Sequence, residues 1–133
     1  MTTPREIRHS FKVMTYEIDF AGVVSNIVYI RWLEDLRNLF AEQALPLGDL
    51  LHRGLAPTLV RTEIDYLAPV RYADVVDARM WMEKTGRAKF VLGAEFASRA
   101  SGQVTARAKQ IGVFVSLETL RPVPLPDEYR IAV

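Results

Sequence analysis

The chain has 133 residues, half of them hydrophobic and a quarter charged, which is the balance of a globular domain and not of a disordered or fibrous chain. Its 17 basic and 16 acidic side chains leave a net charge of +1 and form no block, so the basic face of a nucleic-acid binder is excluded. Cysteine is absent, which excludes disulfides, thiolate nucleophiles and cysteine-held metals.

The length predicts one domain over residues 1–133, able to bury roughly two thirds of its unfolded surface. The opening MTTPREIRHS lacks the apolar centre of a signal peptide, and no run approaches the roughly 18 apolar residues of a membrane span. The expectation is a cytoplasmic protein with no membrane span. From about His9 to Ile18, Phe11, Val13 and Thr15 alternate with polar neighbours, which predicts a first strand. From Asn26 to Gln43, the positions Tyr29, Trp32, Leu33, Leu36, Leu39 and Phe40 recur every three or four residues, which predicts a deeply packed helix. Ser25 or Asn26 is placed to cap its start. A connection with one helical turn at Leu47 to His52 follows.

The period then changes to two. Val60, Thr62, Ile64 and Tyr66 share one face of a strand, with Arg61, Glu63 and Asp65 on the other. A strand from Val75 to Lys84 places Val76, Ala78, Met80 and Met82 together, and Thr85-Gly86-Arg87 reads as a hairpin turn. The next strand aligns Ala88, Phe90, Leu92, Ala94 and Phe96, and a last one runs from Gln103 to Leu117. Its alternation changes phase around Ala108 to Gln110, which predicts a β-bulge there. The tail RPVPLPDEYR holds too many prolines for regular structure. One apolar helix among antiparallel strands needs a sheet to cover it, so the fold class is α+β.

Residues 16–34, YEIDFAGVVSNIVYIRWLE, place one carboxylate, Asp19, among apolar neighbours just before the helix. The pattern Asp19-x-Ala21-Gly22-Val23-Val24-x-Asn26-x-x-Tyr29-x-x-Trp32-x-Glu34-x-x-Arg37 resembles the signature of the 4-hydroxybenzoyl-CoA thioesterase family. Tyr66-Leu67-Ala68-Pro69-Val70-Arg71-Tyr72-Ala73-Asp74 and Leu120-Arg121-Pro122-Val123-Pro124-Leu125-Pro126 are similar to later segments of that family, so the likeness runs from about residue 8 to 130. Two positions depart from it: Glu17 stands where many members carry a second Asp, and Ser25 where many carry an aromatic residue.

The resemblance implies a hotdog fold, in which a curved antiparallel sheet of about five strands wraps one long helix. It implies a homodimer, often a homotetramer, with sites at the subunit interface. The implied reaction is hydrolysis of an acyl-CoA or acyl-carrier-protein thioester, with no cofactor beyond the coenzyme A of the substrate and no metal. Asp19 is then the nucleophile or general base. The Asn26 backbone N–H, at the helix start, polarises the thioester carbonyl. Gly22 supplies the backbone geometry of the turn.

Ser25, Trp32 and Leu59 are the expected acyl-pocket residues. Arg87 and Lys89 are expected to contact CoA phosphates, with Arg71 a further basic candidate. His9 and His52 stand in unrelated contexts with no ligand spacing, and read as structural or surface groups. The competing function is a non-catalytic acyl-CoA-binding or sensing hotdog domain, which would have no use for Asp19.

Overall fold

The computed structural model describes residues 6–44 and 47–127. Leu45 and Pro46 of the expected connection, and the end of the proline-bearing tail, lie outside the described residues. Helix α1 spans Asn26–Ala44 and buries the face that its period predicts: Tyr29, Trp32, Leu33, Leu36 and Phe40 are all buried. A short helix α2, Leu47–His52, follows and buries Leu50.

Five strands form one antiparallel sheet: β1 Glu6–Lys12, β2 Leu55–Tyr66, β3 Val75–Thr85, β4 Lys89–Ser98 and β5 Val104–Ser116, in the order β1-β3-β4-β5-β2. The inner face carries Ile7, Phe11, Val76, Ala78, Met80, Phe90, Leu92, Ala94, Phe96, Ala106 and Phe114 against α1. This is the hotdog arrangement, with the sheet curved around the long helix. Among the described residues no helix is long and apolar enough to cross a membrane.

Three boundaries differ from expectation, each for a local reason. β1 lies earlier, at Glu6–Lys12, because its ladder to β3 ends where Lys12 faces Val75 and the Val13 N–H bonds to the Asp74 carbonyl. Residues Thr15–Glu17 then form a 3-10 turn, and the Glu17 carboxylate accepts from the Met14 N–H at 2.8 Å. β2 begins at Leu55 and not at Val60. A register shift between Leu59 and Arg61 bulges Val60 out, 61% exposed, while Thr62 and Ile64 stay on the inner side. Pro57 is tolerated because β2 is an edge strand.

β5 carries no bulge at residues 108–110. Its ladder to β2 is continuous from Ala106 to Ser116, and the extra residue is Thr105, opposite the Phe96/Ala97 step of β4. The apparent phase change has another cause. Gln110 and Gly112 point inward, so Ile111 and Val113 face out. Gln110 is fully buried and satisfied: it accepts from Arg37 Nη1 at 2.9 Å and donates to Thr62 Oγ1 at 3.1 Å. Arg37 therefore reaches inward to the sheet, and burial pulls its pKa below the usual guanidinium value. The tail has no regular structure yet docks on the sheet: Val123 N–H bonds to Phe114 O, Leu125 N–H to Arg87 O, and Leu125 is buried.

Asp74 holds the entry to β3. It accepts from the Val75 N–H at 2.7 Å, the Ala100 N–H at 3.2 Å and the Ser98 hydroxyl. Burial by itself would raise its pKa, but the Ser98 hydroxyl and the two N–H groups outweigh it and hold the carboxyl below its ordinary value. A lowered folded pKa stabilises above the unfolded value of about 3.9, and that stabilisation is lost as pH falls through the folded pKa. Asp74→Asn is expected to cost about 1 kcal/mol or more at pH 7, with the difference from wild type shrinking below about pH 4. Urea denaturation from pH 2 to 7 checks this, and a difference independent of pH would contradict it.

Candidate active site

The segment between β1 and α1 folds into a tight loop because its backbone bonds to itself and to the connection between β2 and β3. Ile18 bridges Val24, Val23 bridges Arg71, and the Val24 N–H donates to the Val70 carbonyl at 2.8 Å. At the tip, the Asp19 N–H donates to Val23 O at 2.8 Å and the Gly22 N–H to Asp19 O at 2.9 Å. Gly22 sits at φ +81°, the left-handed region that a side chain resists, so the expected role for this glycine matches its conformation.

The Asp19 carboxylate has two unlike oxygens. Oδ1 accepts from the Ala21 N–H at 2.8 Å and more loosely from the Val23 N–H at 3.4 Å. Oδ2 has no partner among the described residues. One oxygen thus fixes the side chain on its own turn, and the other faces away from those donors. The side chain is exposed in the single chain, and so is Phe20 beside it, at 106%. The apolar neighbours expected around Asp19 therefore do not bury it here: of Ile18, Phe20, Val23 and Val24, only Val24 is buried.

Helix α1 starts two residues after Val24. The Ser25 N–H donates to Glu17 O at 3.0 Å, which ties the helix start to the Asp19 loop, and the Val28 N–H donates to Ser25 O at 3.0 Å. The first N–H groups, Asn26 among them, have no acceptor inside the helix and carry its partial positive charge. Among the described residues neither the Ser25 nor the Asn26 side chain makes a capping bond, unlike the expected cap.

Two groups that sequence reasoning missed hold this start in place. The Tyr66 hydroxyl donates to Asn26 O at 3.1 Å from the end of β2. Burial pushes the Tyr66 phenol up, which keeps it a donor. Glu17 uses its second carboxylate oxygen to accept from Trp32 Nε1 at 3.1 Å. The signal for Glu17 was its place two residues before Asp19; Tyr66 had none, because its partner lies 40 residues away. Tyr66→Phe is expected to loosen the Asn26 backbone, read as amide hydrogen exchange about tenfold faster over the first turn of α1, and unchanged exchange would contradict it.

The expected pocket residues separate. Ser25 lies at the loop. Trp32 is 2% exposed, stacked on Phe11 with ring centroids 5.0 Å apart; it is core, and its indole N–H is tied to Glu17. Leu59 lies far down β2 and lines a cavity beside the C-terminal half of α1. Arg87 and Lys89 sit at the β3–β4 turn, where the Gly86 N–H bonds to Lys89 O, at the end of the sheet opposite to Asp19. The same chain cannot bring them to its own Asp19. Among the described residues no three His, Asp or Glu side chains cluster to hold a metal ion.

The family model described as the thioesterase-like superfamily matches residues 13–133, from just before the Asp19 loop through the whole sheet. The chain belongs to this family. That membership assigns it to the thioester hydrolases with a hotdog fold. A putative acyl-CoA thioesterase of Bacillus subtilis (strain 168) is 24% identical over 117 residues, covering 87% of this chain and 84% of the relative. The solved 4-hydroxybenzoyl-CoA thioesterase from Pseudomonas sp. strain CBS-3 superposes with a TM-score of 0.83 at 27% identity, covering 95% of this chain and 97% of that one. A Staphylococcus aureus protein solved in complex with CoA gives a TM-score of 0.86 at 15% identity, over 97% and 82% of the two chains.

Proposed function

We propose that this thioesterase-family chain hydrolyses an acyl-CoA thioester, with acyl-carrier-protein thioesters as the related substrates, at the Asp19 loop and the start of α1. The observation that carries the reading is the divided Asp19 carboxylate: Oδ1 is bound by its own turn and Oδ2 is free, beside a helix start with open N–H groups. The thioester carbonyl oxygen accepts from the Asn26 N–H, which strengthens as the oxygen gains charge in the transition state. Asp19 Oδ2 takes a proton from the water that attacks the acyl carbon, or attacks that carbon itself. The carbon–sulfur bond breaks, the thiol leaves with a proton, and the acid is released. No cofactor enters beyond the CoA that the substrate carries.

A homodimer is part of this proposal. β2 is a 12-residue edge strand with one side unpaired, a template for a second strand. Val60 on that strand and Phe20, Ile27, Ile30 and Leu67 around the site are exposed apolar groups. Two-fold antiparallel pairing of β2 with a second copy covers them. It also brings the partner's β3–β4 turn to the Asp19 end of the first chain, where an Arg87 and a Lys89 meet CoA phosphates. Two such dimers make the expected tetramer.

Thiol release from a panel of short-chain, long-chain and aroyl-CoA esters, with an acyl-carrier-protein thioester alongside, tests the proposal. Turnover of at least one member supports it. Binding of every CoA ester with no release from any of them overturns it in favour of a sensing domain.

A further inference from the structure

We infer that the cavity beneath α2 receives the aliphatic tail of an acyl-CoA whose thioester is cleaved at the Asp19 loop of a second copy. The inference rests on the hydrolase reading above and names its substrate class. The cavity has a volume of about 340 Å³. Phe40 of α1, Leu51 of α2, Leu59 of β2, Met82 of β3 and Phe90 and Leu92 of β4 line it. Its charged member is Arg37, whose guanidinium is already tied to Gln110. A mostly apolar, preformed space of this size suits a hydrocarbon chain and has little to offer a polar head.

The cavity lies far from the Asp19 loop of its own chain. Arg37 is 11 residues beyond Asn26 on α1, about 16 Å along the axis at 1.5 Å per residue. β2 runs the same distance scale: its Tyr66 end holds Asn26, and Leu59 is seven residues back, about 23 Å at 3.3 Å per residue. The core between them is filled by Tyr29, Trp32, Leu33 and Leu36, all buried. An acyl group cannot thread that core.

Pairing of β2 with its copy shortens the route. In an antiparallel pair centred on the strand, the Leu55 end of one copy runs beside the Tyr66 end of the other, about 4.8 Å away. The cavity mouth at Pro57 and Leu59 then lies on the order of 10 Å from the partner's helix start. An aroyl ring is bonded directly to the carbonyl and stays at the Asp19 loop. Only a flexible chain of roughly eight carbons or more, at 1.52 Å per bond, spans the gap. Medium- and long-chain fatty acyl-CoA esters are therefore the substrate class.

The experiment is hydrolysis of butyryl-, dodecanoyl- and benzoyl-CoA by wild type, by cavity variants and by mixed dimers. Leu59→Trp fills the cavity from β2, and the ratio of dodecanoyl- to butyryl-CoA turnover is expected to fall about tenfold. Should it fail to fold, Ala41→Phe fills the same space from α1, and Met82→Ala, which enlarges it, must shift the preference towards longer chains. Refolding Asp19→Asn together with the filled variant then separates the subunits. Half the dimers are mixed, and one of the two sites in each has an intact Asp19 facing an intact cavity. About a quarter of wild-type dodecanoyl-CoA turnover is therefore expected from the mixed dimers, well above what the Asp19→Asn parent and the roughly tenfold slower filled parent contribute.

No recovery in the mixture, or an unchanged chain-length ratio in every cavity variant, overturns the inference. So does wild-type cleavage of benzoyl-CoA with none of dodecanoyl-CoA, and in each of these cases hydrolysis itself stands. Failure of wild type on all three esters and on the carrier-protein thioester overturns the hydrolase reading, and the inference falls with it.

Discussion

Asp19→Asn is expected to lower kcat about a thousandfold, the scale of a lost general base or carboxylate nucleophile, with KM and folding close to wild type. Asn is nearly isosteric, and its side-chain oxygen still accepts from the Ala21 and Val23 N–H groups that fix Asp19 Oδ1. The loop keeps its bridge from Ile18 to Val24 and its anchor at Val70, because those bonds are backbone. What disappears is the charge on the free oxygen. Steady-state thiol release with circular dichroism and a thermal melt makes the comparison. A variant within about threefold of wild type would remove Asp19 from the mechanism.

Gly112→Ala carries the largest expected effect on stability, a loss of about 2 kcal/mol, or roughly 8 °C in Tm. Gly112 stands on the inner face of β5 opposite Phe90, and a Cβ there falls 2.7 Å from two ring carbons of Phe90 and closer still to a third. Phe90 is only 5% exposed and packs edge-on against Phe114, with centroids 5.6 Å apart, so its ring has little freedom to withdraw. Phe90 also lines the cavity beside the C-terminal half of α1. A thermal melt reads the result, and an unchanged Tm would show that the ring moves freely.

The helix was legible because its buried face is broad: Tyr29, Trp32, Leu33, Leu36 and Phe40 repeat a 3.6-residue period that only a helix makes. The β3 face was legible for the matching reason, an alternation of buried and open positions over residues 75–80. The Phe90, Leu92, Ala94 and Phe96 face of β4 was legible although Val91 on its other side is also buried. β2 and β5 were less so. The bulge at Val60 swaps phase without breaking the run of β-forming residues, so Val60, Thr62 and Ile64 read as one face. In β5 the inward positions hold Gln110 and Gly112 while Ile111 and Val113 face out, and hydrophobicity assigns such residues to the wrong side. A buried glutamine becomes favourable only through Arg37 and Thr62, two partners distant in sequence.

The candidate site divides along the same line. Asp19, Gly22, Ser25 and Asn26 lie within eight residues, and their turn and helix start are local structure. The Tyr66 clamp on Asn26 and the Arg71 bridge to Val23 are long-range contacts, made by the end of β2 and the segment after it. Arg87 and Lys89 illustrate a third case. Their basic character is plain in the sequence, but their distance from Asp19 within one chain is set by the β1–β3–β4 register, which no local pattern reports.

The measurement that tests the central claim most directly is a single turnover with enzyme in excess over dodecanoyl-CoA, quenched in time and resolved by mass spectrometry. The account predicts free dodecanoate and CoA from wild type, and intact thioester held with wild-type affinity by Asp19→Asn. Equal conversion by both proteins would contradict it, because the Asp19 carboxylate would then have no part in breaking the thioester.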